Sequence, residues 1–131
     1  DLSKWGIKNH KGELPVYCKD EGLVPYKYHF NCENTFGLNY ITEKLYDGIL
    51  ANTLVFYTGA KNARSLFTLS TENSPGFIQL DLDDFKLAAE IMVTYINNDE
   101  YTRRKDSINK LKMYILKNLS IAHRLFKLIN I

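Results

Sequence analysis

The chain is poor in the residues that would narrow its chemistry at once. Its 131 residues hold two cysteines, Cys18 and Cys32, with neither C-x-x-C spacing nor the density of a disulfide framework. Both are expected to be free thiols, and Cys32, on the apolar side of an alternating run, is expected to be a small buried hydrophobe. No apolar run approaches the ~20 residues of a membrane-spanning helix, and no secretory leader pattern follows Asp1. His10, His29 and His123 stand far apart without H-x-x-H spacing. The carboxylates that invite a cation, Asp81, Asp83 and Asp84, fit a strand end and a helix cap better. No metal is therefore expected. The chain also lacks an initiator Met, so it reads as a piece of something longer.

What is present suits a folded domain. With 45% hydrophobic and 24% charged residues, the chain is globular in composition and long enough to bury a core as one domain. Its net charge of +2 conceals a split, because residues 101–131 carry eight Lys or Arg against the single acid Asp106. Frequent Asn, Lys, Ile and Tyr suggest an AT-rich genome, hence a microbial or viral source, which leaves localisation unknown but favours cytoplasm over a Golgi lumen.

Residues 1–25, punctuated by Gly6, Gly12, Pro15, Gly22 and Pro25, read as a lead-in segment from a preceding domain, with one short strand around 15–18. Tyr26, Tyr28, Phe30 and Cys32 then alternate with Lys27, His29 and Asn31, the pattern of a strand. A helix is predicted over 40–51, with Ile41, Leu45 and Ile49 on one face and Asn39 as N-cap. A strand at 54–57 closed by Gly59, a helix over 63–69 and a strand at 77–80 follow. Asp83 or Asp84 caps a further helix whose Phe85, Ala89, Met92 and Ile96 form an apolar stripe, and Asn97-Asn98 ends it before a long helical stretch from Glu100. Strands alternating with helices predict an α/β fold, a Rossmann-like parallel sheet flanked by helices, over residues 26–100.

In residues 101–131, Ile108, Leu111, Ile115, Leu119, Ala122, Phe126 and Ile129 recur at spacings of three and four. Lys110, Lys112, Lys117, Arg124 and Lys127 lie on the other side. Such basic amphipathic helices either pack on the domain or its partner, the reading preferred here, or make a peripheral contact with an anionic membrane. No nucleic-acid partner is expected, since exposed aromatics do not join the basic residues in a binding platform.

The most informative stretch is YKYHFNCENTFGLNYITEKLY, residues 26–46. It sets a strand, an Asn- and Gly-rich turn and the start of a helix in succession. Parallel sheets bind ligands beyond the carboxyl ends of their strands, and helix starts attract anions. On the residues alone, Lys44 is a phosphate contact or a solvated lysine, and Glu43 a ribose ligand or a first-turn partner of the helix dipole. Asn34 and Tyr40 are donors to a ligand, or a turn former and a hydrophobic staple. Gly59 admits a nucleotide or simply ends a strand.

This stretch resembles the donor-binding signature of the α-1,3-fucosyltransferases, glycosyltransferase family ten: Y-K-F-x-x-x-F-E-N-S, a short loop, then Y-V-T-E-K-L. Glu33, Asn34 and Thr35 match E-N-S, and Tyr40, Ile41, Thr42, Glu43 and Lys44 match Y-V-T-E-K. ANTLVFYTG (51–59) is similar to the family's apolar strand ending in Gly, and FIQLDLDDF (77–85) to its F-I-x-V-x-D-F segment, with Val55 where the family usually has Pro and Asn39 where many members have Asp. The resemblance runs from about residue 23 to the end, about four-fifths of the chain. It implies the C-terminal, donor-binding half of a two-domain (GT-B type) glycosyltransferase that moves L-fucose from GDP-fucose to a glycan hydroxyl with inversion. Asn34, Tyr40, Thr42, Glu43, Lys44 and Gly59 would hold the donor. No catalytic residue is assigned in this chain. The base and a diphosphate-binding Arg would come from the preceding domain, which would also take the glycan acceptor, and no cofactor beyond the substrate would be required. The alternative is a non-catalytic module that binds nucleotide sugars, a membrane or a partner.

Overall fold

The computed structural model describes residues 12–67 and 76–129. The first part of the lead-in, with Gly6 and His10, and the last two residues expected in the second helix lie outside the described residues. Three strands, β1 (Tyr28–Cys32), β2 (Leu54–Thr58) and β3 (Phe77–Gln79), form one parallel sheet in the order β1-β2-β3. Between them run α1 (Glu43–Leu50) and α2 (Ala63–Leu66). After β3 come α3 (Phe85–Asn97), α4 (Glu100–Tyr114), a π-helical turn (Ile115–Leu119) and α5 (Ile121–Ile129). The chain is thus mixed α/β, with a small parallel sheet flanked by helices.

β2 is central and buried at every residue, as a run of branched and aromatic side chains between two neighbours must be. Its alternating side chains feed two cores. Val55 and Tyr57 join Leu45 and Ile49 of α1, Phe77, and Leu111 and Ile115 on one face. Leu54 and Phe56 join Ile78, Leu80, Ala88 of α3 and Ile108 on the other. α4 supplies both cores because it crosses the amino ends of all three strands. The Tyr101 amide donates to the Tyr28 hydroxyl at 3.3 Å, the Lys112 ammonium donates to Asn52 Oδ1 at 3.2 Å, and a side chain on Gly76 would collide with the Ser107 carbonyl. The carboxyl ends of the strands stay clear of it.

Several sequence expectations are corrected. Residues 15–18 form a turn, not a strand: the Cys18 amide donates to the Pro15 carbonyl at 3.1 Å and Tyr17 has a φ of 70°. Asn39 is not the N-cap of α1. It sits in left-handed backbone (φ 62°), and Thr42 caps the helix three residues later, its hydroxyl accepting from the Lys44 amide at 3.4 Å. In β1 the side expected to be apolar is the more open one. Phe30 is 46% exposed and Cys32 half-buried, because β1 is an edge strand that α3 only partly covers. The polar side turns inward, and Asn31 is buried with its amide donating to the Lys44 carbonyl at 2.6 Å. That bond replaces an apolar contact between strand and helix.

The stripe of α3 is also rotated. Ala88, Ile91, Met92 and Tyr95 face the core, while Phe85, Ala89 and Ile96 are exposed. Two apolar stripes share this helix, and the sheet selects the one whose Ala88 allows close approach. Asp84 caps α3 as expected, accepting from the Leu87 amide at 3.0 Å, and the helix ends at Asn97. Both cysteines are free thiols. The tail divides: Ile108, Leu111 and Ile115 are buried, but Phe126 and Ile129 are 65% and 78% exposed.

Candidate functional site

The strand order and the polar inner side of β1 bring a carboxylate to the centre of the motif. Glu33 follows β1, two residues past Asn31 on the same side, and its side chain is wholly buried. One carboxylate oxygen accepts from the Thr42 amide at 2.9 Å and from the Tyr57 hydroxyl at 3.3 Å; the other accepts from the Thr42 hydroxyl at 2.7 Å. The Lys44 ammonium stands 3.8 Å from that second oxygen and 3.7 Å from Glu43. Thus the anion that α1 attracts to its amino end is already in place and belongs to the protein.

Two groups here, Tyr57 and Glu43, have shifted ionisation. Burial, with the Glu33 charge beside it, pushes the Tyr57 phenol up to about 12, against the Ala60 amide that donates to it at 3.3 Å. Glu43 is held below the ordinary carboxylate range by its own backbone N–H at the helix start, and further by Lys44. Gly59 completes the packing, for a side chain there would overlap the Tyr57 hydroxyl and the Glu33 Cγ. Its smallness therefore serves the Glu33–Tyr57 contact.

Beside this knot the carboxyl ends of the three strands open onto a cavity of about 780 Å³. Cys32 and Phe36 line it from the β1 side, Thr58, Gly59 and Lys61 from β2, and Gln79 from β3. Gln79 fixes the wall, donating from Nε2 to the Ala60 and Lys61 carbonyls, both at 3.0 Å, while Oε1 accepts from the Arg64 amide at 3.2 Å. The loop after β1 is tied to the loop after β2 by two bonds between Asn39, through its backbone N–H and its side chain, and the Asn62 side chain. The Asn39 amide donates to Asn62 Oδ1 at 2.9 Å, and Asn62 Nδ2 donates to Asn39 Oδ1 at 2.8 Å.

Of the six residues expected to hold a ligand, Thr42, Lys44 and Gly59 meet around Glu33. Tyr40 joins through its carbonyl, 3.5 Å from the Tyr57 hydroxyl, and the residue is 43% exposed. Glu43 reaches Lys44 but points mostly to solvent, and Asn34 is exposed on the loop just after Glu33. Gly59 alone of the six lines the cavity. No protein-family model, curated protein or solved structure matches this chain.

Sequence reasoning matched Glu33 to the signature without giving it a role, and missed Gln79 and Asn62. Glu33 had a signal in its position, two residues after Asn31 on one side of a strand and followed by a turn. Gln79 and Asn62 act on main-chain groups brought close only by the sheet order, which no local pattern reports. Among the described residues, no three His, Cys, Asp or Glu side chains converge as metal ligands. Asp81 instead accepts from the Asp83 amide at 3.0 Å.

Proposed function

We propose that the chain is the donor-binding domain of a fucosyltransferase-like glycosyltransferase, taking GDP-fucose or a related nucleotide sugar in the cavity at the carboxyl edge of the sheet. One observation carries the reading. Residues that match the donor signature in sequence, Glu33, Thr42, Lys44 and Gly59, also meet in space, and Gly59 among them lines that cavity. Its size falls within the range of small-molecule sites, roughly 300–1,000 Å³.

In this reading the division of labour follows from the bonds already made. Glu33 and Thr42 are engaged with each other and position the lysine. The Lys44 ammonium, held from behind by Glu33 and still 30% exposed, presents positive charge to the diphosphate as it leaves. Glu43 has a solvent-facing carboxylate for ribose hydroxyls. Asn34 and Tyr40 supply neutral donors from the loop. The base that activates the acceptor and the acceptor site itself belong to a preceding domain, so the chain binds donor without turning it over.

Calorimetric titration of the chain with GDP-fucose, GDP-mannose, GDP and UDP tests this, beside the Lys44→Ala variant. Binding of the guanosine ligands in preference to UDP is expected, weakened about tenfold or more in the variant, the scale of a charge-assisted contact. Absence of guanosine-ligand binding, or equal affinity in the variant, overturns the assignment.

A further inference from the structure

α5 exposes apolar side chains along one side in a way its sequence alone does not show. Leu125, Leu128 and Ile129 are spaced i, i+3, i+4, so they share one side of the helix, and they are 52%, 67% and 78% exposed. The preceding π-helical turn is closed by the Ser120 amide donating to the Ile115 carbonyl at 3.1 Å. Leu116, 43% exposed, extends the apolar surface from that turn. A groove of about 410 Å³, lined by Tyr46, Leu50, Leu116, Leu119 and Arg124, remains between the turn and α1.

Charge decides which partner suits this surface. From Ser107 to Ile131 there is no acidic residue, while Lys110, Lys112, Lys117, Arg124 and Lys127 are all basic. A second copy docking through the same side would bring a second set of these charges against the first. An anionic surface would instead neutralise them, and a bilayer offers both requirements together: apolar depth for the leucines and negative headgroups for the flanking cations. No helix among the described residues is long and apolar enough to cross a membrane, so the contact is one of lying on the surface. We propose that α5, with the adjoining π-helical turn, docks on an anionic lipid bilayer by inserting Leu125, Leu128 and Ile129 at the interface while Lys117, Arg124 and Lys127 meet the headgroups.

Vesicle co-sedimentation of the whole chain tests the proposal, comparing phosphatidylcholine alone with a phosphatidylcholine–phosphatidylglycerol mixture at low and high salt. The chain is expected to pellet with the mixed vesicles and to be released by salt. Leu125→Glu/Leu128→Glu should lower binding by more than tenfold, and Lys117→Ala/Lys127→Ala by about fivefold per lysine. Both variants should keep the parental melting temperature, because neither core contains these side chains. Equal binding to neutral vesicles, no binding to either, or unchanged binding of the leucine variant overturns the proposal. So does a dimer in sedimentation velocity that the leucine variant makes monomeric, which would assign the stripe to a second copy. Nucleotide binding enters none of these readouts, so the outcome is independent of the donor reading.

Discussion

The buried carboxylate of Glu33 grips Thr42 twice, through its amide at 2.9 Å and its hydroxyl at 2.7 Å, across a nine-residue separation. This clasp joins the carboxyl end of β1 to the amino end of α1 and sets where the intervening loop begins and ends. Removing it leaves the part-buried Thr42 amide without its acceptor and the Tyr57 hydroxyl with only the longer contact to the Tyr40 carbonyl. Glu33→Ala should therefore cost about 2–3 kcal/mol in urea unfolding. Glu33→Gln, which keeps an acceptor but loses the charge facing Lys44, should cost about half as much. Equal costs for the two variants would show that the charge, not the hydrogen bonds, holds the loop.

Gly59 predicts an overpacking penalty. Gly59→Ala places a methyl group against the Glu33 Cγ and the Tyr57 ring, both within the buried knot. Destabilisation of about 1–3 kcal/mol is expected, the usual range when a packed site is overfilled. In Gly59→Ala/Tyr57→Phe, removal of the hydroxyl should recover part of that loss. A double variant no better than the sum of its parts would count against the contact as the cause.

His29 makes stability fall on mild acidification. Burial holds its imidazole below the ordinary 6.5, with Lys19 acting in the same direction and the Asn31 hydrogen bond and Asp47 opposing. As pH drops below 6.5 the unfolded chain takes up a proton that the folded chain does not, so stability is lost from about that pH downward until the folded imidazole also protonates. The urea midpoint should decline as pH falls through about 6.5, and His29→Gln should flatten that decline. Parallel declines in both proteins would place the acid sensitivity elsewhere.

Tyr57 should be the last tyrosine to ionise. Its phenol, pushed to about 12, stays neutral in the folded chain while the unfolded chain ionises near 10, so stability is lost as pH rises through that interval. Ultraviolet titration of the folded protein should show a late phenolate step that Tyr57→Phe abolishes. Persistence of the step in the variant would assign it to another ring.

The sequence was most legible where periodicity and tertiary demand coincide. β2 reads as a buried strand because both its sides are packed, and Asp84 reads as a cap because capping is local. α3 and β1 were misread for one shared reason. Each offers two plausible buried sides, and the choice depends on a neighbour that sequence spacing does not specify. Phe30 is apolar and open while Asn31 is polar and buried, since α1 lies over Asn31 and presents the Lys44 carbonyl to it. The site was legible to the extent that a strand, a turn and a helix start occur in order. Its organising residue was not, because a carboxylate inside a domain makes sense only once Thr42, Tyr57 and Lys44 are seen around it.

The crossing of α4 beneath the amino ends of the strands separates two kinds of evolutionary freedom. Substitutions along that edge meet Tyr28, Asn52 and Gly76 together, so a change at one strand start is felt by the other two through a single rigid strut. Among the described residues the opposite edge has no helix crossing it, and its loops join through the Glu33–Thr42 clasp and exposed pairs such as Asn39–Asn62. Sequence change in those loops, outside the Glu33–Thr42 clasp, is therefore tolerated with the architecture left intact.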